Sequence, residues 1–182
     1  IDPLDGTQEY SEFDRADWAV HIALWERKDA DGKPTDDGSI TQAAVALPAY
    51  NMTLSTHQLP KTPDKHEGKP RLVVSRNRAT REAVIVAEAL DCDVARLGSA
   101  GAKAMAVVLG EVDIYVHAGG MYQWDSAAPI AVAAAAGLFT SRIDGTPLIY
   151  NRRDAWLPDL VVCQQHLAQQ VIDALRAGRL GA

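Results

Sequence analysis

From Arg71 onward the chain alternates short apolar runs with longer segments of helical spacing, and this restricts the possible folds more than any other feature. The runs at 71–75, 93–97, 112–116 and 160–163 have strand length. Between and after them, 79–90 places Val84, Val86, Ala87 and Leu90 at helical spacing, and 100–109 reads as an Ala/Val/Met helix. The segment 124–136 reads as a small-residue helix closed by Gly137, and 165–177 as a last helix. Upstream the pattern differs. Residues 18–25 read as a buried strand, 28–39 as a polar turn region, and 40–47 as the returning strand of a hairpin ended by Pro48. A further short strand is expected within 49–56, and 57–70, with three prolines and no periodicity, reads as a mobile loop. Hairpins followed by alternating strand and helix predict an α/β (α+β) layered sandwich, dividing into 1–70 and an α/β subdomain at 71–182.

The 182 residues suffice for a sizeable core, and 47% hydrophobic with 23% charged is ordinary for a globular chain. A net charge of −6 argues against a nucleic acid polymer held on a broad basic face. It leaves room for a small anionic ligand, because bound cations reverse a local field. The Ala-rich stretch 131–136 is far too short to span a bilayer, so no membrane partner is expected. Cys92 and Cys163 are two thiols far apart in sequence, which fits a reducing, cytoplasmic compartment better than a disulfide framework or a cysteine zinc site.

Two short stretches carry chemistry. In Asp2-Pro-Leu-Asp5-Gly-Thr7, Pro3 fixes its φ and Gly6 permits a tight reversal, so both carboxylates can turn toward one point. With the Leu4 carbonyl and the Thr7 hydroxyl nearby, this is the oxygen set that Mg2+ prefers. The Gly6 and Thr7 amides, if they open a helix, suit a phosphate. A turn with an Asp cap accounts for the same residues without any ligand. In Tyr122-Gln-Trp-Asp125-Ser-Ala-Ala-Pro129, Asp125 stands where a helix begins, either as a simple N-cap or as a third carboxylate arriving from a distant segment.

Taken together, the two stretches resemble the paired signature of the lithium-sensitive, metal-dependent phosphatase superfamily. Its members include inositol monophosphatases, fructose-1,6-bisphosphatases and 3′(2′),5′-bisphosphate nucleotidases. The segments "VVSRNR", "LGSAGAKAMAVVLGEVDIYVHAGG", "YQWDSAAP" and "DGTPLIYN" are similar to the actinobacterial 3′-phosphoadenosine-5′-phosphate phosphatase branch, and the likeness runs from Ile1 to about Gln170. The resemblance implies alternating layers of helices and sheets. It implies two or three Mg2+ ions, with Li+ inhibitory, at Asp2, the Leu4 carbonyl, Asp5 and Asp125. Gly6 and Thr7 then hold phosphate, and Thr7 orients the attacking water. It also implies nucleotide contacts at Ser75, Arg76, Ser99, Lys103 and His117. Gln123 departs from the acidic residue common in relatives just before the Trp, which leaves less negative charge at that position.

The expected activity is removal of the 3′-phosphate from adenosine 3′,5′-bisphosphate or its sulfated parent, in sulfate assimilation, by a homodimer. The alternatives are an inositol-1-phosphate or fructose-1,6-bisphosphate phosphatase, or a non-catalytic fragment of the same fold. The resemblance also implies a preceding segment with a Gly-Glu-Glu element whose Glu is a metal ligand. On this reading 1–70 is the C-terminal portion of a metal-binding subdomain that is incomplete at its N-terminus.

Overall fold

A computed structural model describes residues 1–28, 31–59 and 65–180. The first sheet is antiparallel, with β1 (Asp2–Asp5), β2 (Ala19–Lys28), β3 (Pro34–Leu47) and β4 (Met52–Ser55) side by side in chain order. A five-residue helix, α1 (Thr7–Ser11), lies between β1 and β2. The second sheet contains β5 (Arg71–Ser75), β6 (Asp93–Leu97), β7 (Ile114–Tyr122), β8 (Phe139–Ser141) and β9 (Trp156–Cys163), in the order β6-β5-β7-β9-β8. β5 runs parallel to β6 and β7, while β9 is antiparallel to β7 and β8. Parallel neighbours require crossovers, and α2 (Arg81–Ala89) and α3 (Ala100–Val108) supply them. α4 (Gln123–Ala135) follows β7, and α5 (Ala168–Leu180) closes the described chain.

Side-chain alternation along β5 sorts the core into two halves. Val73 faces a cluster with Met105, Val107, Ala128 and Val132, which also takes in Ala19, Val45 and Leu54 of the first sheet. Leu72 and Val74 face the opposite way, toward Val86, Val171 and Leu175 of α2 and α5. The layers are therefore sheet, α3 with α4, sheet, α2 with α5, which is the expected α/β layered sandwich. α3 is buried on every side from Gly101 to Val108, and its small residues let it pass between the two sheets. The outer face of the first sheet is different: Ile22 and Leu24 are 54% and 49% exposed.

Several boundaries differ from the sequence expectation. β3 begins at Pro34, inside the predicted turn region, because Gly38 lets the Trp25 ring lie directly on the strand. β7 runs on to Tyr122, beyond the predicted 112–116. The positive φ of Gly119 and Gly120 absorbs a register shift between Ala118 and Met121, and Trp156 of the longer β9 covers Gly120. A 3-10 turn at Pro48–Tyr50 precedes β4, and another at Gln165–Leu167 delays the last helix to Ala168. Gly6 and Thr7 do open a helix, the five-residue α1, whereas β8, three residues long, has no counterpart in the sequence expectation. Residues 60–64 of the predicted loop lie outside the described residues.

One ion pair ties the starts of the two parallel strands. The Asp113 carboxylate accepts from the Arg71 backbone N–H at 2.8 Å and from its guanidinium at 2.9 and 3.0 Å. Burial pushes this carboxyl up, but the Arg71 hydrogen bonds and charge outweigh it and hold the group below its ordinary value. The stabilisation is therefore complete above pH 3.8 and is lost as pH falls through the lowered folded value. Asp113→Ala is expected to cost about 2–3 kcal/mol in urea unfolding, less than a fully buried pair because Arg71 is 27% exposed. Asp113→Asn is expected to flatten the acid limb of stability in the same experiment.

Candidate active site

β1 brings the first two carboxylates into position. It pairs with β2 so that Asp2 lies opposite His21 and Asp5 opposite Ala19, with an irregularity between. Gly6, at φ +85°, then turns the chain into α1, and a side chain there would press on Ser99 and the Asp17 carbonyl. Asp2 is buried, and its Oδ1 accepts from the Leu4 N–H at 3.1 Å. Asp5 Oδ2 accepts from the Ser99 hydroxyl and from the Gly101 N–H, 2.7 Å away. It thus sits on the first turn of α3, where backbone N–H groups lack helical partners. Thr7 is exposed at the start of α1.

Asp125 arrives from α4. It is not the N-cap: Tyr122 holds that place, and Asp125, three residues into the turn, accepts the Tyr122 N–H at 2.8 Å. Its carboxyl is raised above the ordinary aspartate value. Burial is the largest cause, partly offset by the Tyr122 N–H, and the charges of Asp5 and Asp2 add to the rise. Segments far apart in sequence are thereby brought within electrostatic reach of one another.

The residues fit a hard cation of the water-rich kind. Among the described residues no group of three or more His, Cys, Asp and Glu is drawn together closely enough to hold a metal ion by itself. Mg2+ does not need one: it retains waters and is usually held by one or two carboxylates together with substrate oxygens. Asp2, Asp5 and Asp125 each have one oxygen engaged by a protein donor and, among the described residues, one oxygen without such a donor. That donor set, under mutual repulsion, suits an oxygen-seeking divalent ion.

The expected substrate contacts divide. Ser75 and His117 line one cavity of about 580 Å3 with Arg78, Thr80 and Arg81. This cavity opens where β5 and β7 adjoin and their helices leave on opposite faces, the usual ligand crevice of a parallel sheet. His117 Nε2 lies 3.0 Å from the Gly120 carbonyl, and burial lowers the pKa of the imidazole. The other three point elsewhere. Arg76 grips Glu12 with both terminal nitrogens and stands 3.4 Å from Glu9. Ser99 is buried, bonded to Asp5 and capping α3. Lys103 is also buried, its ammonium 2.9 and 2.8 Å from the Gly98 and Ser99 carbonyls, and burial lowers its pKa to about 8. These are the protein contacts made by the three other residues expected at the nucleotide. Each has a protein partner, and two of them lie in the interior. A larger cavity, about 850 Å3, lies between Trp25 and the second half of α4, and none of the candidate residues lines it.

Gln123 also faces away from the carboxylates. Its amide donates to the Asp154 carbonyl at 2.8 Å and accepts from the Asn151 N–H at 2.6 Å. Both roles need an amide, since a carboxylate cannot donate. Sequence reasoning passed over His21, which lies beneath the cluster. The signal was available in Ala19-Val-His21-Ile-Ala23, where a histidine occupies an inward position of an alternating strand.

With this geometry the family assignment follows. The inositol monophosphatase family model matches residues 1–179, and the chain belongs to that family. It is 47% identical over 178 residues to the 3′-phosphoadenosine 5′-phosphate phosphatase of Mycobacterium bovis, covering 96% of this chain and 65% of that protein. It is 30% identical over 168 residues to the 3′(2′),5′-bisphosphate nucleotidase CysQ of Escherichia coli, covering 86% of this chain and 63% of the relative. The chain thus spans just under two thirds of the length of these relatives. Among solved structures, SaIMPase-II with inositol monophosphate bound superposes with a TM-score of 0.73 at 18% identity, over 97% of this chain and 69% of that one.

Asp125 is a destabilising charge in the metal-free protein, because a carboxyl with a raised folded pKa loses its stabilisation as pH rises through that value. Asp125→Asn keeps an acceptor for the Tyr122 N–H and removes the repulsion. Its Tm at neutral pH without metal is expected to rise by about 2–4 °C. Calorimetry with added Mg2+ is expected to show a shift in the parent protein and none in the variant.

Proposed function

We propose that the protein is a metal-dependent phosphomonoesterase that removes the 3′-phosphate from adenosine 3′,5′-bisphosphate or its sulfated parent, as part of sulfate assimilation. The observation that carries this reading is the meeting of Asp2 and Asp5 with Asp125, in a chain of the inositol monophosphatase family. The 47% identity to a relative named for 3′-phosphoadenosine 5′-phosphate supports the choice of substrate.

In this reading Asp2, Asp5, Asp125 and the Leu4 carbonyl hold two or three Mg2+ ions, for which Li+ competes. Bound Mg2+ supplies Lewis acidity toward phosphoryl oxygens and acidifies water. The residues of the chain do the positioning. The Gly6 and Thr7 amides hold phosphate oxygens, and the exposed Thr7 hydroxyl aligns the attacking water for in-line displacement. Ser75 and His117, at the crevice between β5 and β7, take the nucleoside side. Arg76, Ser99 and Lys103 remain its candidate contacts on the same side, while also bonding Glu12, Asp5 and the Gly98 carbonyl. A cytoplasmic homodimer is the proposed working form.

Phosphate release by the full-length protein tests the reading. Adenosine 3′,5′-bisphosphate is expected to be hydrolysed with Mg2+, not with EDTA, and to be inhibited by Li+. Inositol-1-phosphate and fructose-1,6-bisphosphate are expected to react more slowly. Asp2→Asn is expected to lower kcat roughly a hundredfold or more. Faster turnover of either sugar phosphate would reassign the substrate. No turnover of any of the three would leave a binding or scaffolding role.

A further inference from the structure

We infer that His21 is a positioning residue for the metal-binding carboxylate Asp5, an inference that rests on the metal reading above. His21 is 1% exposed and projects from β2 into the space between β1, α3 and α4. Both of its ring nitrogens face oxygen. Nδ1 is 3.4 Å from the Trp124 carbonyl, one residue before Asp125. Nε2 is 3.4 Å from Asp5 Oδ2 but not aligned as a hydrogen bond, and among the described residues it has no hydrogen-bond partner.

A buried ring nitrogen with no hydrogen bond is unfavourable, so this placement asks for a reason. The surroundings show that it is imposed by packing. Gly101 has no side chain where a Cβ would collide with His21 Nε2, so the ring lies flush against the first turn of α3. The same turn gives Asp5 Oδ2 the Ser99 hydroxyl and the Gly101 N–H. The imidazole packs against the same Asp5 oxygen that these two donors hold, so that oxygen is turned inward. Oδ1 alone is left for a cation. Through Trp124, the same side chain touches the turn that carries Asp125, so one residue fixes ligands from both halves of the site.

Outer-shell partners of a metal ligand typically change affinity 10- to 100-fold when removed. The probe is Mn2+, titrated into the full-length protein and followed by its electron paramagnetic resonance signal, with circular dichroism confirming the fold. His21→Leu fills similar space without a donor, and His21→Gln retains one. Gly101→Ala is a second route, because it displaces the ring while leaving His21 in the chain. The leucine and alanine variants are expected to bind Mn2+ 10- to 100-fold more weakly, and the glutamine variant within about threefold of the parent. Parent-like affinity in folded His21→Leu would overturn the inference and leave the metal reading standing. Equal losses in His21→Gln and His21→Leu would also overturn it, since the donor would then be irrelevant. Absence of Mn2+ binding by the parent protein would overturn the metal reading and this inference with it.

Discussion

The anchoring of Asp5 at the N-terminus of α3 is the contact on which the site depends. β1 belongs to one sheet and α3 lies between the two, so a carboxylate gripped by Ser99 and Gly101 fixes the first strand to the centre of the molecule. A helix start offers N–H groups without partners and a favourable dipole, and an aspartate satisfies both demands. The approach is close enough to dictate neighbouring residues. Gly98 has the Glu9 carboxyl where a Cβ would be, and Gly101 has the His21 ring. Packing and chemistry are inseparable here, because the groups that close the core also aim the carboxylate.

The same compactness creates an electrostatic burden. Asp2, Asp5 and Asp125 lie near one another beside buried Glu9 and Asp17. The protein divides its responses between the two groups. Glu9 and Asp17 are answered by cations within the chain: Arg76 lies beside Glu9, and Arg15 binds Asp17. Hydrogen bonding from Gly98 and Arg15 overcomes the burial of Asp17 and keeps its carboxyl below the ordinary value. Asp2, Asp5 and Asp125 receive mainly N–H and hydroxyl donors.

This division also explains why the basic residues fell into two sets. Arg76 and Lys103 were natural candidates for an anionic substrate, being basic residues beside Ser75 and Ser99. In the fold they bond internal acids and carbonyls. The residues at the crevice between β5 and β7 are Ser75 and His117, with Arg78 and Arg81. Which cation reaches the substrate side depends on how the loop after β5 leaves the sheet, and adjacent positions differ completely in outcome.

Much of the architecture was legible because periodicity reports burial. The alternation from Arg71 onward located β5, β6, α2 and α3 to within a residue or two, since each must show an apolar face to the core. The two acidic motifs were legible through a resemblance: each alone also reads as a turn or a cap, and only the pair matches the signature of a known family. Short elements such as α1 and β8 carried too few residues for a period to show. The extension of β7 through two glycines was hidden because glycine ordinarily signals a break. The alternation of β2 shows that His21 points inward, but the partners of His21 and Gln123, among them Asp5, Asn151 and Asp154, come from other segments and are set by the fold. Sequence alone therefore determined the layers and the carboxylates. Only the tertiary structure decided which oxygen of each carboxylate is left for a cation and which basic side chains face the crevice, because hydrogen-bond partners are chosen by three-dimensional proximity and local pattern does not encode it.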